Sequence, residues 1–307
     1  MTLDDFKSQW QDSRDHIVAH TSGSTGVPKE VRLPKSDMAC SARATNKFFS
    51  ITPASRLLLP LSLDYIAGKM MAVRAFESEC ELVVVNPSNK FDVPEGDFDL
   101  VPVVPTQVDW LLENPQWAQR IKHVIVGGAP LAVDAEKALN NAGYDAWCTY
   151  GMTETCSHVA VRPCDGSDLP YQAMPGIRFG VDDRGCLVIE APLFSFGRLV
   201  TNDVVELLSP ESFRWKGRID NVINSGGLKL HPEEIEKLYA PHISAPFFVK
   251  GAPDPKWGQA LELVVEGDGS AEEMLDRLSH IDHKQLPKII TFVKAIPRTS
   301  SGEIIRR

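Results

Sequence analysis

Between residues 16 and 150 the chain alternates short β-branched runs with stretches of helical period, and no other feature restricts its fold as strongly. The runs HIVAH, RLLLPLS, ELVVV, LVPVV, HVIVGG and AWCTYG read as strands. Between the first two, Met38, Ala42, Thr45 and Phe49 recur at helical spacing behind a Ser36-Asp37 cap. Between the next two, Ile66, Met70, Val73 and Glu77 do the same, with Phe76 completing the apolar face. Strands that are apolar almost throughout, separated by helices, predict an α/β domain with a mostly parallel sheet covered by helices. Ligands in such a sheet sit at the carboxyl ends of its strands.

After about residue 175 the pattern changes. DDRGCLVIEAP, RLVTNDVVELLS and SFRWKGRID are strand runs parted by Gly, Asp and Pro with no helix between them, which predicts a small antiparallel β unit. From residue 221 a compact α+β module follows. NVINSGG leads to a helix at HPEEIEKLYA, where Pro232 suits the first turn and the glutamates suit the dipole. Strands near PFFVKG and ALELVVEG, a helix at SAEEMLDRLSH and a final strand complete it.

Charge narrows the partners. A net charge of −9 argues against nucleic acid, which is held by clustered Lys and Arg, but leaves room for a small anion bound by backbone N–H groups. The acidic, polar opening MTLDDFKSQWQDSRD lacks the apolar core of a secretory signal, and runs such as RLLLPLSL fall short of a bilayer span. The expectation is a cytoplasmic protein without membrane insertion. Cysteines 40, 80, 148, 156, 164 and 186 form no C-x-x-C pair and read as free thiols in a reducing compartment.

Three stretches carry chemistry. Thr21, Ser22, Gly23, Ser24, Thr25 and Gly26 alternate hydroxyls and glycines behind a strand; glycines admit a phosphate close to the backbone, N–H groups and hydroxyls donate to it, and Lys29 compensates its charge. Pro28 and the absence of a lysine directly after Gly26 exclude the Walker pattern. At the end of another strand, Tyr150 offers a flat ring to a base, Gly151 turns the chain, Thr153 can donate to phosphate, and Glu154 is a hard oxygen ligand for Mg²⁺. Taken alone, this stretch reads first as a strand end with a capped turn. Asp203 can accept from a ribose diol and Arg218 can reach phosphate or ribose oxygens; a turn aspartate and a surface ion pair are the plainer readings.

In this order, the stretches resemble the adenylate-forming superfamily of acyl-CoA synthetases, peptide-synthetase adenylation domains and luciferases. The resemblance covers nearly the whole chain from residue 16. It implies that Gly127-Gly128-Ala129-Pro130 flanks adenine, that Asp203 takes the ribose, and that Asp220 is the hinge. It also makes Ser225-Gly226-Gly227-Leu228-Lys229 the loop that swings towards the thiol acceptor. The implied domains are residues 1–219, binding ATP and acid and including the small β unit, and residues 220–307, a small mobile α+β domain. The implied reaction has two steps: a carboxylate attacks the α-phosphorus of ATP with Mg²⁺ present, releasing pyrophosphate, and a thiol, commonly that of coenzyme A, then displaces AMP.

Within the family, GMTETCSHVAV, VVPTQVDWLL and the abbreviated β unit resemble the o-succinylbenzoate–CoA ligases of menaquinone biosynthesis. Such an acid has two carboxylates on an aryl ketone, so its pocket needs an apolar wall and a donor for the second carboxylate. Tyr65, Lys69, Thr106, Gln107 and Ser157 lie in the right segments, each equally readable as helix surface or core edge.

Two departures from the family stand out. Only 20 residues precede Thr21, where relatives carry well over a hundred, so a minimal enzyme or an apolar face covered in a homodimer is expected. At the end, Pro297-Arg298-Thr299-Ser300-Ser301-Gly302-Glu303 departs from P-x-T-x-x-G-K, whose lysine reaches the α-phosphate. An anion there predicts crippled adenylation with thioester formation spared, a loss on the order of 10²–10³ in rate, unless Lys229 or Lys288 compensates. A ligase for another aryl or short-chain acid, a non-catalytic adenylate-binding protein, and transfer to a carrier-protein thiol are the competing expectations.

Overall fold

The computed structural model describes residues 1–20, 30–298 and 304–306. The chain begins with α1 (Leu3–Gln11), β1 (His16–His20), β2 (Glu30–Pro34), α2 (Lys35–Phe48), β3 (Arg56–Leu59), α3 (Ile66–Ser78) and β4 (Glu81–Val84). It continues through β5 (Phe98–Val103), α4 (Val108–Leu112), β6 (Ile121–Val126), α5 (Val133–Asn141), β7 (Ala146–Gly151), β8 (His158–Pro163) and β9 (Tyr171–Ala173). Four further strands follow: β10 (Arg178–Val181), β11 (Cys186–Ala191), β12 (Gly197–Ser209) and β13 (Ser212–Arg218). The last elements are β14 (Ile223–Ser225), β15 (Leu228–Leu230), α6 (Pro232–Tyr239), β16 (Phe247–Asp254), β17 (Gly258–Glu266), α7 (Ala271–Arg277) and β18 (Ile289–Val293).

Among the described residues the large sheet has the order β10-β11-β12-β13-β9-β8-β7-β6-β5-β3-β4. Strands β4, β3, β5, β6 and β7 are mutually parallel, and β8 and β9 add antiparallel. Alternation along each strand feeds two cores. Leu57, Leu59 and Ile125 pack with Met38, Met70 and Val73 of α2 and α3, whereas Leu58, Val124 and Val126 pack with Val108 and Leu139 of α4 and α5. Both faces are covered, which is why these strands are apolar at nearly every position. The fold class read from the alternation therefore holds.

Contacts divide the chain into two compact units: residues 1–180, 189–199 and 208–214, and residues 181–188, 200–207 and 215–307. The second unit has its own sheet, β15-β14-β17-β16 with β18 parallel to β17, and its own core around Ile235, Tyr239, Val249 and Leu263.

Three expectations are corrected. HIVAH is a strand, but it pairs antiparallel with β2 as a separate two-stranded sheet instead of joining the main one. Helix α2 starts at Lys35 behind Pro34 with no side-chain cap, because Asp37 is buried and accepts from the Ser195 backbone N–H at 2.9 Å and its hydroxyl at 2.6 Å. The six cysteines are not all free thiols. The β7–β8 hairpin brings Cys148 and Cys164 together in a disulfide with a Cα separation of 5.5 Å, leaving Cys40, Cys80, Cys156 and Cys186 free.

Candidate active site

Parallel register gathers the first unit's candidates at one edge of the sheet. Val103 of β5 pairs with Val126 of β6, and Val126 with Cys148 of β7, so the segments that follow these strands leave the sheet side by side. The segments after β5 and β6 carry Thr106 and Gln107 and Gly128, Ala129 and Pro130, and β7 itself ends in Tyr150 and Gly151. Gly127 N donates to Val103 O at 3.1 Å, and Thr149 Oγ1 donates to Val126 O at 3.1 Å, tying the three strand ends together. The half-buried Tyr150 ring stands edge-on to Phe213 at 5.1 Å between centroids and tilted to Tyr171 at 5.8 Å.

Beyond Tyr150 a single 3-10 turn, Thr153–Thr155, presents Glu154 to solvent. Thr155 Oγ1 holds this turn by accepting from Met152 N at 3.0 Å and donating to Ser157 O at 2.7 Å. The chain then passes through Cys156 at φ 63° and ψ −42°, a conformation rare for a residue with a side chain, in the turn that leads from Thr153 to Ser157.

Ser157 begins a buried polar chain. Arg74 Nη2, from α3, donates to Ser157 Oγ at 2.6 Å; Ser157 Oγ lies 3.3 Å from His158 Nδ1; and His158 Nε2 lies 3.1 Å from Thr45 Oγ1, which donates to Ser41 O at 3.1 Å. Since Thr45 spends its proton on Ser41, His158 donates through Nε2 and accepts from Ser157 at Nδ1. Burial, and then the charge of Arg74, hold the His158 imidazole well below its ordinary pKa, so it is neutral. Arg74 is 2% exposed, and burial lowers its pKa to about 9. Among the described residues no carboxylate pairs with it, and its Nε has no hydrogen-bond partner.

The remaining acid-binding candidates are engaged differently. Lys69 is 3% exposed and its ammonium donates to Leu63 O at 2.8 Å and Asp64 O at 3.0 Å; burial lowers its pKa. Gln107 is buried, accepts from Val104 N at 3.0 Å and donates to Pro60 O and Ser88 O. Thr106 donates to Asn89 Oδ1 at 3.1 Å, and Tyr65 is 65% exposed. Of the five, Ser157 is the one joined to a buried cation.

In the second unit, Asp203 is buried at the middle of β12. Its Oδ1 accepts from Trp215 Nε1 at 3.1 Å and lies 4.0 Å from Arg218 Nη1, whose other nitrogen is 3.4 Å from Asp220 Oδ2. The same unit carries residues 225–229, the candidate thiol-side loop. Ser225 pairs with Leu228, leaving Gly226 (φ +58°) and Gly227 (φ +84°) as a two-residue hairpin turn. Gly226 N donates to Trp257 O at 2.8 Å, and a Cβ at Gly226 would fall 2.5 Å from the Trp257 ring. Lys288 Nζ sits 3.7 Å and Lys256 Nζ 4.7 Å from that ring's centroid, and Lys229 is exposed beside the turn. Thr21, Ser22, Gly23, Ser24, Thr25, Gly26, Lys29 and Glu303 lie outside the described residues.

Sequence reasoning missed Arg74, His158 and Trp257. Arg74 and Trp257 had a signal: an arginine set among the apolar residues Met70, Met71, Val73 and Phe76 of α3, and a tryptophan between lysine and glycine in PKWGQ.

The model of the family of AMP-binding enzymes matches residues 5–186. The 2-succinylbenzoate–CoA ligase of Salmonella typhimurium is 28% identical over an alignment of 272 residues that covers 84% of this chain and 59% of that protein. This chain thus spans about three-fifths of that relative's length. A solved acyl-CoA synthetase (AMP-forming)/AMP-acid ligase II-like protein from Dyadobacter fermentans is 37% identical, covers 99% of this chain and 91% of its own, and superposes with a TM-score of 0.66. The o-succinylbenzoate CoA synthetase of Bacillus subtilis, solved with its acyl-adenylate intermediate, shares the fold at a TM-score of 0.80 and 23% identity over 94% of this chain and 67% of its own. On the strength of the family match, the chain belongs to the AMP-binding enzymes.

Proposed function

We propose that the chain is an AMP-forming acid–CoA ligase whose acid carries a second carboxylate on an aryl group, as o-succinylbenzoate does. The observation that carries the reading is Arg74. A buried guanidinium without a carboxylate is destabilising by several kcal/mol, about 3–5 when a pair is broken, and an anionic substrate supplies the missing charge. Ser157, hydrogen-bonded to Arg74 and two residues after Thr155, joins that cation to the Thr153–Thr155 turn. Relatives that act on 2-succinylbenzoate support the same class.

In this reading Thr153 holds the α-phosphoryl group, while Thr21–Gly26 and Lys29 take the β- and γ-phosphates. Tyr150 with Gly128, Ala129 and Pro130 flanks adenine. Asp203 takes the ribose and Arg218 a ribose or phosphate oxygen. Glu154 is exposed and would hold Mg²⁺ together with phosphate oxygens, an arrangement that needs one protein carboxylate; when bound, the ion would neutralise charge on the leaving pyrophosphate. The acid's reacting carboxylate oxygen attacks the α-phosphorus as the bond to pyrophosphate breaks. The thiol sulfur of CoA then attacks the acyl carbon and AMP leaves. Rotation at Asp220, separating residues 1–219 from 220–307, brings Gly226, Gly227 and Lys229 to the acyl group, with Trp257, Lys256 and Lys288 as an aromatic, cationic face for the anionic end of CoA. The proposal takes the enzyme to be cytoplasmic, with a second copy covering apolar surface; none of the described helices is long and apolar enough to cross a membrane.

Glu303 favours a second reading, binding of acyl-adenylate without turnover. Two half-reactions on this chain and on Glu303→Lys separate the readings: pyrophosphate release from ATP with o-succinylbenzoate, and thioester formation from pre-made acyl-adenylate and CoA. Fast thioester formation in both, with pyrophosphate release restored by lysine, is expected. No thioester from either chain would sink the ligase reading, and use of monocarboxylates alone would sink the assigned acid.

A further inference from the structure

Two carboxylates of α6, Glu233 and Glu236, share one half-buried guanidinium. Arg306 bonds Glu236 through both terminal nitrogens, with Nη2 to Oε2 at 2.7 Å, donates from Nη1 to Val249 O at 2.8 Å, and leaves 16% of its side chain exposed. The tail that carries it is fixed at its start: Ile304 pairs with Arg298 and packs against Phe248, Val264 and Ile296, and Ile305 N donates to Pro297 O at 2.9 Å. Glu233, 9% exposed, has Arg306 at 4.0 Å from Oε1, and its Oε2 has no hydrogen-bond partner among the described residues.

What holds Glu233 instead is the stretch that follows β13. Asn221 Nδ2 donates to Oε1 at 2.5 Å. Gly217, at φ +139°, leaves room where a Cβ would fall 2.2 Å from Oε2. Asp220, the candidate hinge, lies between these two residues in sequence. A backbone rotation at residue 220 therefore carries the Asn221 amide onto or off Glu233. A buried carboxylate that loses a donor must find another, and Arg306 is the cation in reach.

We propose that Glu233 is a positioning residue that couples the setting of the hinge stretch to the anchoring of the C-terminal tail, and so biases which half-reaction proceeds; this rests on the ligase reading above. With Asn221 on Glu233, Arg306 stays on Glu236 and the tail is anchored at Val249. With Asn221 withdrawn, Glu233 draws Arg306 towards itself and the anchor loosens.

Amide hydrogen exchange at Ile305 tests the coupling without any assay of activity. In Asn221→Ala, exchange at Ile305 is expected to rise about fivefold or more, the range of coupling between residues of one polar network, although the Asn221 side chain bonds Glu233 and not Arg306 among the described residues. In a Glu233→Gln background, where no charge is left to draw Arg306 away, Asn221→Ala is expected to leave Ile305 unchanged. Unaltered exchange in the single variant, or equal acceleration in both backgrounds, overturns the proposal. In catalysis, Asn221→Ala is expected to shift the ratio of thioester formation to pyrophosphate release, and Glu233→Gln to abolish that shift. Two rates that fall together with no change in ratio also overturn it. If neither half-reaction occurs in the unaltered chain, the ligase reading fails and the exchange result still decides the coupling.

Discussion

Arg74 donates to Ser157 across 83 positions of sequence at 2.6 Å, and this contact joins helix α3 to the turn after β7. Replacing Arg74 by Met removes a buried charge that no carboxylate balances among the described residues. Stability is therefore expected to hold within about 1 kcal/mol or to rise, while preference for a dicarboxylate over its monocarboxylate analogue falls by roughly 10- to 100-fold, the worth of a hydrogen bond to a charged group. Thermal melts and acid competition on the same variant read both effects. A large loss of stability with unchanged acid preference would place Arg74 in the scaffold alone.

His158 gives the fold a pH dependence of definite sign. Its pKa is lowered in the folded state, so below the ordinary value near 6.5 the unfolded chain binds a proton that the folded chain refuses. The resulting stability is present above that value and is lost as pH falls below it, by at most about 1.4 kcal/mol per pH unit. Melting midpoints between pH 7.5 and 5.5 should fall more steeply for the unaltered chain than for His158→Gln. Parallel curves would show that His158 is not the group responsible.

Gly226 is predicted to separate the two half-reactions. Its positive φ and the nearness of Trp257 make Gly226→Ala costly by about 1–3 kcal/mol of backbone strain. The strain is confined to the turn, so thioester formation from pre-made adenylate should slow while nucleotide affinity stays within twofold. Equal loss of both would remove the loop from the thiol step.

The disulfide is countable. Denatured without reductant, the chain should expose four thiols, and six after reduction, because Cys148 and Cys164 are paired and four cysteines are free. Six thiols before reduction would show the pair to be open.

The strands and helices were legible because their period reports burial, and burial is what the two-faced sheet imposes on β3, β5, β6 and β7. Contacts between distant segments were not. Asp37 has the spacing of a helix cap, yet Ser195, 158 positions away, takes both of its oxygens. Lys69 and Gln107 sit in segments that border the candidate site, but their polar atoms are bound to backbone carbonyls and amides, which no local pattern announces. The cysteine pair escaped for the same reason: its 16-residue separation is meaningful only once β7 and β8 are known to form a hairpin. Motif order named the remaining candidates, because glycines, hydroxyls and a strand end constrain one another locally.

The strand order has a consequence for how the molecule is assembled. With β4 set aside on the far edge, β3, β5, β6, β7, β8 and β9 each lie beside the one before, so every arriving strand finds its partner already at the growing margin. Each parallel pairing waits on its own crossover to close, but within this run no strand waits on a partner synthesised later. The carboxyl edge that gathers Thr106, Gly128 and Tyr150 is thus laid down progressively, one crossover at a time, as the ribosome delivers it.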